Sequence, residues 1–218
     1  MSIFMKALPE VNRVKPESNI VDFGNSLCYN LDIGGIRMNF ERLKKNLCDN
    51  ILEAQIKLGY EGRPMSFNYI LSSLNHLLGV ERTESEMEAD LKEFADFVRN
   101  DLGEVEFRPI KSGFCITVPE QGTKYVHENP EGGEFLREFI EAVRRHCTLD
   151  EAFAIFRKYS ENIVTEEVHN DEFNYLVYFA DGIPDDYRYC IAVEEEIDGS
   201  VHITYHRFIA EDYEDFGF

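Results

Sequence analysis

Histidine pairs are the first place to look for metal or acid–base chemistry in this sequence, and one pair has suggestive spacing. His202 and His206 are four residues apart, a separation that lets two side chains ligate one ion when they lie on a helix. The surrounding residues predict a strand, on which the two side chains share a face but stand about 13 Å apart, at ~3.3 Å per residue. Such a pair cannot hold one ion together, so solvent-facing or cross-strand roles are favoured.

A polar site between a sheet and helices is one hypothesis for this chain. Its candidate lining residues are His127, Glu128, His202, His206 and Arg207. No GxSxG elbow or protease-type cysteine signature marks a nucleophile. The 42 acidic residues allow many carboxylate pairs, so their number alone indicates no acid–base site. An enzyme or small-molecule binder is therefore the alternative hypothesis, and a non-enzymatic protein is favoured.

Metal and cofactor motifs are weak throughout the sequence. Asp181, Asp185 and Asp186 could offer oxygen ligands to Ca²⁺ or Mg²⁺, but their spacing is not that of an EF-hand loop. Asp is also common in turns because it hydrogen-bonds its local backbone. The pairs Gly34-Gly35 and Gly132-Gly133 lack the phosphate-loop patterns GxxxxGK[ST] and GxGxxG. We predict neither a metal nor a cofactor.

Negative charge is concentrated in the last quarter of the chain. Residues 165–218 hold fifteen acidic side chains and two arginines, which gives −13 of the formal −20. The segment is also rich in aromatic and β-branched residues, which predicts a folded acidic sheet. This charge disfavours nucleic acid and anionic membrane surfaces as partners, and it favours a basic protein. No apolar stretch approaches the ~18–20 residues that span a bilayer.

The leading functional hypothesis is a non-enzymatic interaction or regulatory protein that presents this acidic, aromatic surface. Its candidate contact residues are Tyr187, Tyr213, Asp215, Phe216 and Phe218. Tyrosines and other aromatic side chains favour interfaces. An equally weighted alternative is that the aromatic residues of the tail fold back on their own domain. A partner bound through this surface should dissociate more readily as salt rises.

Apolar periodicity predicts the elements that must position these residues. Five helices are expected, at about 39–58, 66–78, 83–102, 133–147 and 148–159. Asn39 is a candidate N-cap for the first, and Thr83 and Thr148 begin capping boxes for the third and fifth. A hairpin is predicted over 105–118, and Tyr125-Val126-His127 could form a short strand. A three-stranded meander follows at about 173–180, 187–197 and 201–209, with Asp198-Gly199 as a hairpin turn.

Three helices followed by a hairpin, over about 38–118, is the element order of a winged helix-turn-helix. The alternative is an ordinary helical layer that leads into a sheet. The third helix would read DNA, but it carries seven acidic residues against Lys92 and Arg99. DNA-binding helices neutralise phosphates with Lys and Arg, so nucleic-acid regulation is disfavoured.

The predicted fold class is α+β: about five helices, a wing-like β-hairpin that could belong to a degenerate winged helix, and a C-terminal antiparallel three-stranded meander. The expected parts are a weakly patterned segment 1–37, a helical part 38–120, and a part 121–218 of two helices with the acidic sheet and tail. The last two could also form one domain. Five widely spaced cysteines without a CxxC pair favour a reduced, cytoplasmic location.

Several short stretches resemble a bacterial protein family of unknown function. They are Lys57-Leu58-Gly59-Tyr60, Leu71-Ser72-Ser73-Leu74-Asn75-His76-Leu77-Leu78-Gly79, Tyr125-Val126-His127-Glu128, Phe179-Ala180-Asp181-Gly182 and Tyr205-His206-Arg207-Phe208. The resemblance covers most of the chain from about residue 40 onward. It implies a bacterial, cytosolic protein and transfers no activity.

Overall fold

Residues 38–168, 172–195 and 201–216 are described in a computed structural model of the chain. Within them the protein is α+β, with seven helices and two antiparallel sheets of three and four strands. The predicted segment 1–37, the Asp198-Gly199 turn and Phe218 lie outside the described residues. None of the described helices is long and apolar enough to cross a membrane.

The first half of the described chain forms three helices and the smaller sheet. Its elements are α1 (Phe40–Leu58), β1 (Met65–Ile70), α2 (Leu71–Leu78), α3 (Glu84–Leu102), β2 (Glu106–Ile110) and β3 (Gly113–Val118). The strand order is β1-β3-β2, and both pairings are antiparallel. The predicted caps are present, since the Asn39 side chain accepts a hydrogen bond from the Arg42 N–H and Thr83 forms a capping box with Glu86.

The prediction of one helix from Ser66 to Leu78 was wrong in its first part. Residues Met65–Ile70 form β1, and only then does α2 begin. Phe67 pairs with Ile116 and Tyr69 with Phe114, so the neighbouring strand β3 supplies the hydrogen bonds that a helix would otherwise make internally. Apolar residues at this spacing fit a helix as well as a strand, and tertiary pairing decides between the two.

The second half of the described chain adds four helices and the larger sheet. Its elements are α4 (Glu120–Glu128), α5 (Glu134–Arg144), α6 (Leu149–Tyr159), β4 (Ile163–Glu167), β5 (Tyr175–Phe179), β6 (Arg188–Glu195), β7 (Val201–Phe208) and α7 (Ala210–Phe216). The sheet order is β4-β5-β6-β7. The strand predicted at Tyr125-Val126-His127 is part of α4 instead, and β4 and α7 were not predicted.

Aromatic side chains of α5 and α6 cover the inner face of the larger sheet. Phe135 and Phe139 of α5 and Phe156 of α6 make edge-to-face contacts with Tyr189 of β6, at ring separations of 5.6, 5.8 and 5.2 Å. Tyr189 is fully buried. These residues share one hydrophobic cluster with residues such as Leu47 from the first half, while the division near residue 120 into two domains stays a prediction.

Strand alternation decides which residues face that core. On β6, Tyr189 and Ile191 point inward, whereas Cys190 and Ala192 belong to a second, smaller cluster on the other face. On β7, Ile203 and Tyr205 belong to the inner cluster or pack against it. Arg207 is two residues beyond Tyr205 and therefore also faces α1.

Candidate functional site

A stripe of polar residues lies on the face of α1 that meets the larger sheet. Asn46, Asp49, Asn50 and Glu53 recur at i, i+3, i+4 and i+7, a spacing that places them on one side of a helix. Asn46 is only 7% exposed. Polar side chains within an interface between a helix and a sheet need partners, and the strands provide them.

Arg207 is the centre of this polar interface. Its Nη2 lies 2.8 Å from Glu53 Oε2 and donates to Asn50 Oδ1 at 3.3 Å. The Arg207 side chain is 4% exposed and that of Glu53 is 15% exposed. The guanidinium carbon also stands 4.2 Å from the centre of the Tyr187 ring, a cation–π contact. Arg207 is therefore held as a buried cation between α1 and β7.

Glu53 is the anion that balances this cation. Its Oε1 also lies 2.7 Å from Lys57 Nζ and accepts a hydrogen bond from the Tyr205 hydroxyl at 2.8 Å. Burial alone would raise the pKa of Glu53, but the charges of Arg207 and Lys57 outweigh it and hold the pKa below its ordinary value. Glu53 is thus ionised in the folded protein at neutral pH.

Tyr187 and Tyr69 extend the network along α1. The Tyr187 hydroxyl donates to Asp49 Oδ2 at 2.8 Å and accepts from Asn46 Nδ2 at 3.2 Å. The Tyr69 hydroxyl donates to Asn46 Oδ1 at 2.9 Å. Burial raises the pKa of both phenols, so both remain protonated donors. Because Tyr69 lies on β1, the network connects the smaller sheet to the larger one through α1.

Asp185 is a carboxyl group beside Arg207 that lacks an ion-pair partner in the described residues. It accepts hydrogen bonds from the Tyr189 hydroxyl at 2.7 Å and from the Tyr187 backbone N–H at 3.2 Å. Burial raises the pKa of Asp185, and these bonds together with the Arg207 charge only partly oppose that effect. A carboxyl group with a raised pKa beside a buried cation is typical of binding or catalytic sites.

A cavity of about 250 Å³, called here the Arg207 cavity, opens next to this group. Its lining residues are Lys45, Asp49, Leu52, Glu131, Gly132, Gly133, Phe135, Leu136, Pro184, Asp185 and Arg207. A second cavity of about 180 Å³, called here the Tyr125 cavity, shares Lys45, Asp49, Leu52 and Glu131 with it. The two cavities are neighbours along α1, beside the connection between α4 and α5, and together they are called here the cleft.

The five residues predicted for a polar site do not converge in the structure. Arg207 lines the cleft, while His206 faces the other side of β7, 5.5 Å from the Phe173 ring. His202 lies 3.3 Å from Glu194 on the neighbouring strand. The described residues contain no cluster of three or more His, Cys, Asp or Glu side chains arranged to hold a metal ion.

The other two members of that set lie on α4. His127 is exposed and stacks on Tyr60 with ring centres 4.1 Å apart. Glu128 is exposed and lies 3.8 Å from Lys124. Neither residue lines the cleft.

The residues predicted for an interaction surface are also distributed differently than expected. Tyr187 is 4% exposed and belongs to the buried network. Tyr213 packs against the small cluster on the outer face of the larger sheet, and Asp215 lies 3.5 Å from His76 Nε2. Phe216 ends α7, and Phe218 lies outside the described residues.

The acidic helix α7 docks on the first half of the protein. Glu211 pairs with Arg42 at 2.8 Å, and Asp212 accepts hydrogen bonds from Ser73 at 2.6 Å and His76 at 3.0 Å. These acidic side chains of the tail thus have partners within their own chain.

Most residues of the cleft were not among those predicted from the sequence. A sequence signal for the polar stripe was present in α1, where four polar residues follow the same helical spacing as the apolar stripe: Asn46, Asp49, Asn50 and Glu53. Which strand would meet that polar stripe depends on tertiary packing, which the helical spacing does not encode.

Comparison with protein families identifies the family to which this chain belongs. Residues 40–217 match the family described as "Domain of unknown function, E. rectale Gene description (DUF3877)", and the chain belongs to that family. The family name agrees with the resemblance to an uncharacterised bacterial family. Comparison with curated proteins and with solved structures finds no match.

Proposed function

We propose that this protein binds a small polar molecule in the cleft between α1 and the larger sheet, with Arg207 as the central binding residue. The proposal rests on one observation: the Arg207 side chain is buried, lines a cavity and has hydrogen-bond donors that the described part of the chain does not use. It is 4% exposed, lines the Arg207 cavity, and uses Nη2 for Glu53 and Asn50. Within the described residues, Nη1 and Nε have no hydrogen-bond partner, which leaves donors for a ligand.

The energetics of buried charge support a binding role. A buried ion pair such as Arg207–Glu53 is often no more stabilising than apolar residues of similar volume, so stability alone gives little reason for it. Small-molecule sites are concave, and they combine an apolar lining with a few placed polar groups. The Arg207 cavity has this composition, with Leu52, Phe135 and Leu136 beside Asp185 and Arg207.

Ligand screening of the wild-type protein, followed by binding measurements on a variant whose cleft is filled, tests the proposal. The full chain is screened against a library of small metabolites by thermal shift, and each hit is confirmed by calorimetry. Glu131 is exposed and lines both cavities, so Glu131→Trp should fill the cleft and abolish binding. Glu106→Trp, at an exposed position on β2, a strand that lines neither cavity, is the control and should bind normally. Hits that bind equally well to both variants would contradict the proposal.

A second candidate function is a protein-contact module with a winged-helix fold. The element order α1-β1-α2-α3-β2-β3 and the strand order β1-β3-β2 favour this assignment. Glu84 and Asp96 are exposed on α3, the helix that would read DNA, so a basic protein is a better partner than nucleic acid. Winged helices without basic readers often serve as protein-contact modules, an argument from analogy of fold.

Charge reversal on α3 tests this second candidate. Proteins retained by the wild-type chain should be lost when Glu84→Lys and Asp96→Lys are combined, and retained by a Glu194→Lys control on β6. A mobility shift of duplex DNA by the wild-type chain at about 50 mM salt would favour nucleic-acid binding instead. Retention of the same proteins by the α3 variant would show that the acidic surface of α3 is not their binding site.

We also propose that the protein is cytoplasmic. Within the described residues, Cys48, Cys115, Cys147 and Cys190 are free thiols, as expected in a reducing compartment. Fractionation of the native cells tests the location, and recovery in the secreted or periplasmic fraction would contradict it.

A further inference from the structure

Two cationic side chains, Arg207 and Lys45, line the Arg207 cavity. Arg207 has Nη1 and Nε without partners in the described residues, and Lys45 lines both the Arg207 cavity and the Tyr125 cavity. Lys45 is 60% exposed and lies 2.6 Å from Asp49, so it can turn toward a ligand at the cleft opening. A guanidinium group presents donors in a planar fork that matches carboxylate and phosphate oxygens.

The first turn of α5 borders the same cavity. Gly132, Gly133, Phe135 and Leu136 are lining residues, and α5 is 11 residues long. Its N-cap, Gly133, has φ 80° and offers no side-chain hydrogen bond to the helix end. The first backbone N–H groups of a helix have no partner within the helix, and they carry partial positive charge. This end of α5 therefore places backbone N–H donors beside the cavity, while Glu134 in the same turn carries a negative charge.

The lining of the Arg207 cavity also holds three carboxyl groups, Asp49, Asp185 and Glu131, beside the two cations. Asp49 is paired with Lys45 and receives the Tyr187 hydroxyl, and Glu53 is paired with Arg207 and Lys57. Asp185 has a raised pKa, so it loses its proton less readily than an exposed aspartate. Glu131 is exposed to solvent, where its charge is screened. Because the lining carries no net positive charge, an anion that enters the cavity must be held by the directed N–H donors of Arg207 and of the first turn of α5.

We infer that the ligand of the Arg207 cavity is a small molecule that bears an oxyanion, either a carboxylate or a phosphate, bound between the free edge of Arg207 and the first turn of α5. This inference rests on the proposed function and names its ligand class. The volume of about 250 Å³ lies below the range of about 300–1,000 Å³ typical of drug-sized ligands, so the group bound there is small.

Calorimetric titration of the full chain with inorganic phosphate and, separately, with acetate tests the inference. At least one of the two anions should bind saturably. Binding of phosphate or of acetate would indicate whether the ligand bears a phosphate or a carboxylate group. Arg207→Gln should weaken that binding about tenfold or more, because hydrogen bonds to charged groups contribute about 1.5–3 kcal/mol. Arg188→Gln is the matched control, since Arg188 stacks on Tyr178 and does not line the cleft; it should bind like the wild type.

A second variant keeps the inference testable if Arg207→Gln does not fold. Lys45→Gln alters a 60% exposed side chain on α1 and should weaken oxyanion binding about threefold or more. Unchanged affinity in Lys45→Gln, or in Arg207→Gln if that variant folds, would overturn the inference.

The ligand-class inference and the proposed function fail in different ways. A neutral or cationic metabolite that binds the wild type, fails to bind Glu131→Trp and competes with neither anion would leave the proposed function intact and overturn the oxyanion inference. Absence of saturable binding by both anions and by every library member would overturn both.

Discussion

Arg207 Nη2 on β7 and Glu53 Oε2 on α1 lie 2.8 Å apart, although the two residues are separated by most of the chain. The pair joins the helix that begins the described structure to its last strand. Asn50, Tyr205 and Lys57 complete the group around it. The same contact holds the larger sheet against α1 and places a cation beside the Arg207 cavity, so stability and binding depend on one side chain.

Removal of the Glu53 charge should strongly destabilise the fold. Glu53→Gln leaves Arg207 buried without its anion, and breaking a buried pair in this way typically costs about 3–5 kcal/mol. Urea denaturation followed by circular dichroism measures the loss. Glu88→Gln removes the partner of Lys92 in a pair whose side chains are 45% and 65% exposed, and it should cost less than about 1 kcal/mol. Equal losses in the two variants would contradict the structural role of the buried pair.

Asp185 should make the protein less stable as pH rises. Its folded-state pKa lies above the ordinary value of 3.8, so the folded protein binds this proton more tightly than the unfolded chain does. The resulting stability is fully present below the unfolded-state pKa and is lost as pH rises through the folded-state pKa. Asp185→Asn lacks this titration.

The measurement is the free energy of unfolding of both proteins from about pH 4 to about pH 8, a range that spans the ordinary carboxyl titration. The stability of Asp185→Asn relative to wild type should increase with pH across the range. A relative stability that falls with pH would show that ionised Asp185 stabilises the fold.

Gly113 should be essential for the close approach of β1 to β3. A Cβ at this position would lie 2.0 Å from the Tyr69 carbonyl oxygen. The backbone would have to shift to relieve this clash. Gly113→Ala should therefore destabilise the protein by about 3 kcal/mol, as forced overpacking does. Ser112→Ala at the exposed neighbouring position is the control for urea denaturation. A Gly113→Ala variant as stable as that control would contradict the β1–β3 register.

Asp212 should hold α7 on α2. Its side chain is 14% exposed and receives hydrogen bonds from Ser73 and His76, so Asp212→Ala should cost about 1–2 kcal/mol. Amide hydrogen exchange of 210–216 should accelerate if the helix is released. Asp215→Ala, at a side chain 58% exposed and 3.5 Å from His76, should have a smaller effect. Exchange rates that remain at the wild-type level in Asp212→Ala would show that other contacts hold α7.

Helices with explicit end signals could be predicted from the sequence. Asn39, Thr83 and Thr148 all act as N-caps, and their helices α1, α3 and α6 begin where expected. These signals are local, because a cap and the N–H group that it satisfies lie within three residues of each other. The hairpin β2–β3 was likewise confirmed, since its turn and its strands are adjacent in sequence.

Elements that depend on distant partners were missed. β1 has apolar residues at helical spacing, and only its pairing with β3, more than 40 residues away, makes it a strand. Arg207 was named as a candidate site residue, yet His206 and His202 were grouped with it although neither lines the cavities. The meeting of β7 with the polar stripe of α1 arises from packing of the whole chain, which local sequence patterns do not encode.

NMR observation of the Arg207 side chain is the most direct test of ligand binding in the cleft. The Nε–Hε resonance of Arg207, assigned through its loss in Arg207→Gln or Arg207→Lys, is followed during titration of the full chain with inorganic phosphate and then with acetate. We expect a saturable shift of the Arg207 resonance with at least one of the two anions, while the Arg188 resonance on the opposite face of the sheet stays in place. An Arg207 resonance that does not move, or that drifts linearly together with that of Arg188, would contradict ligand binding at Arg207.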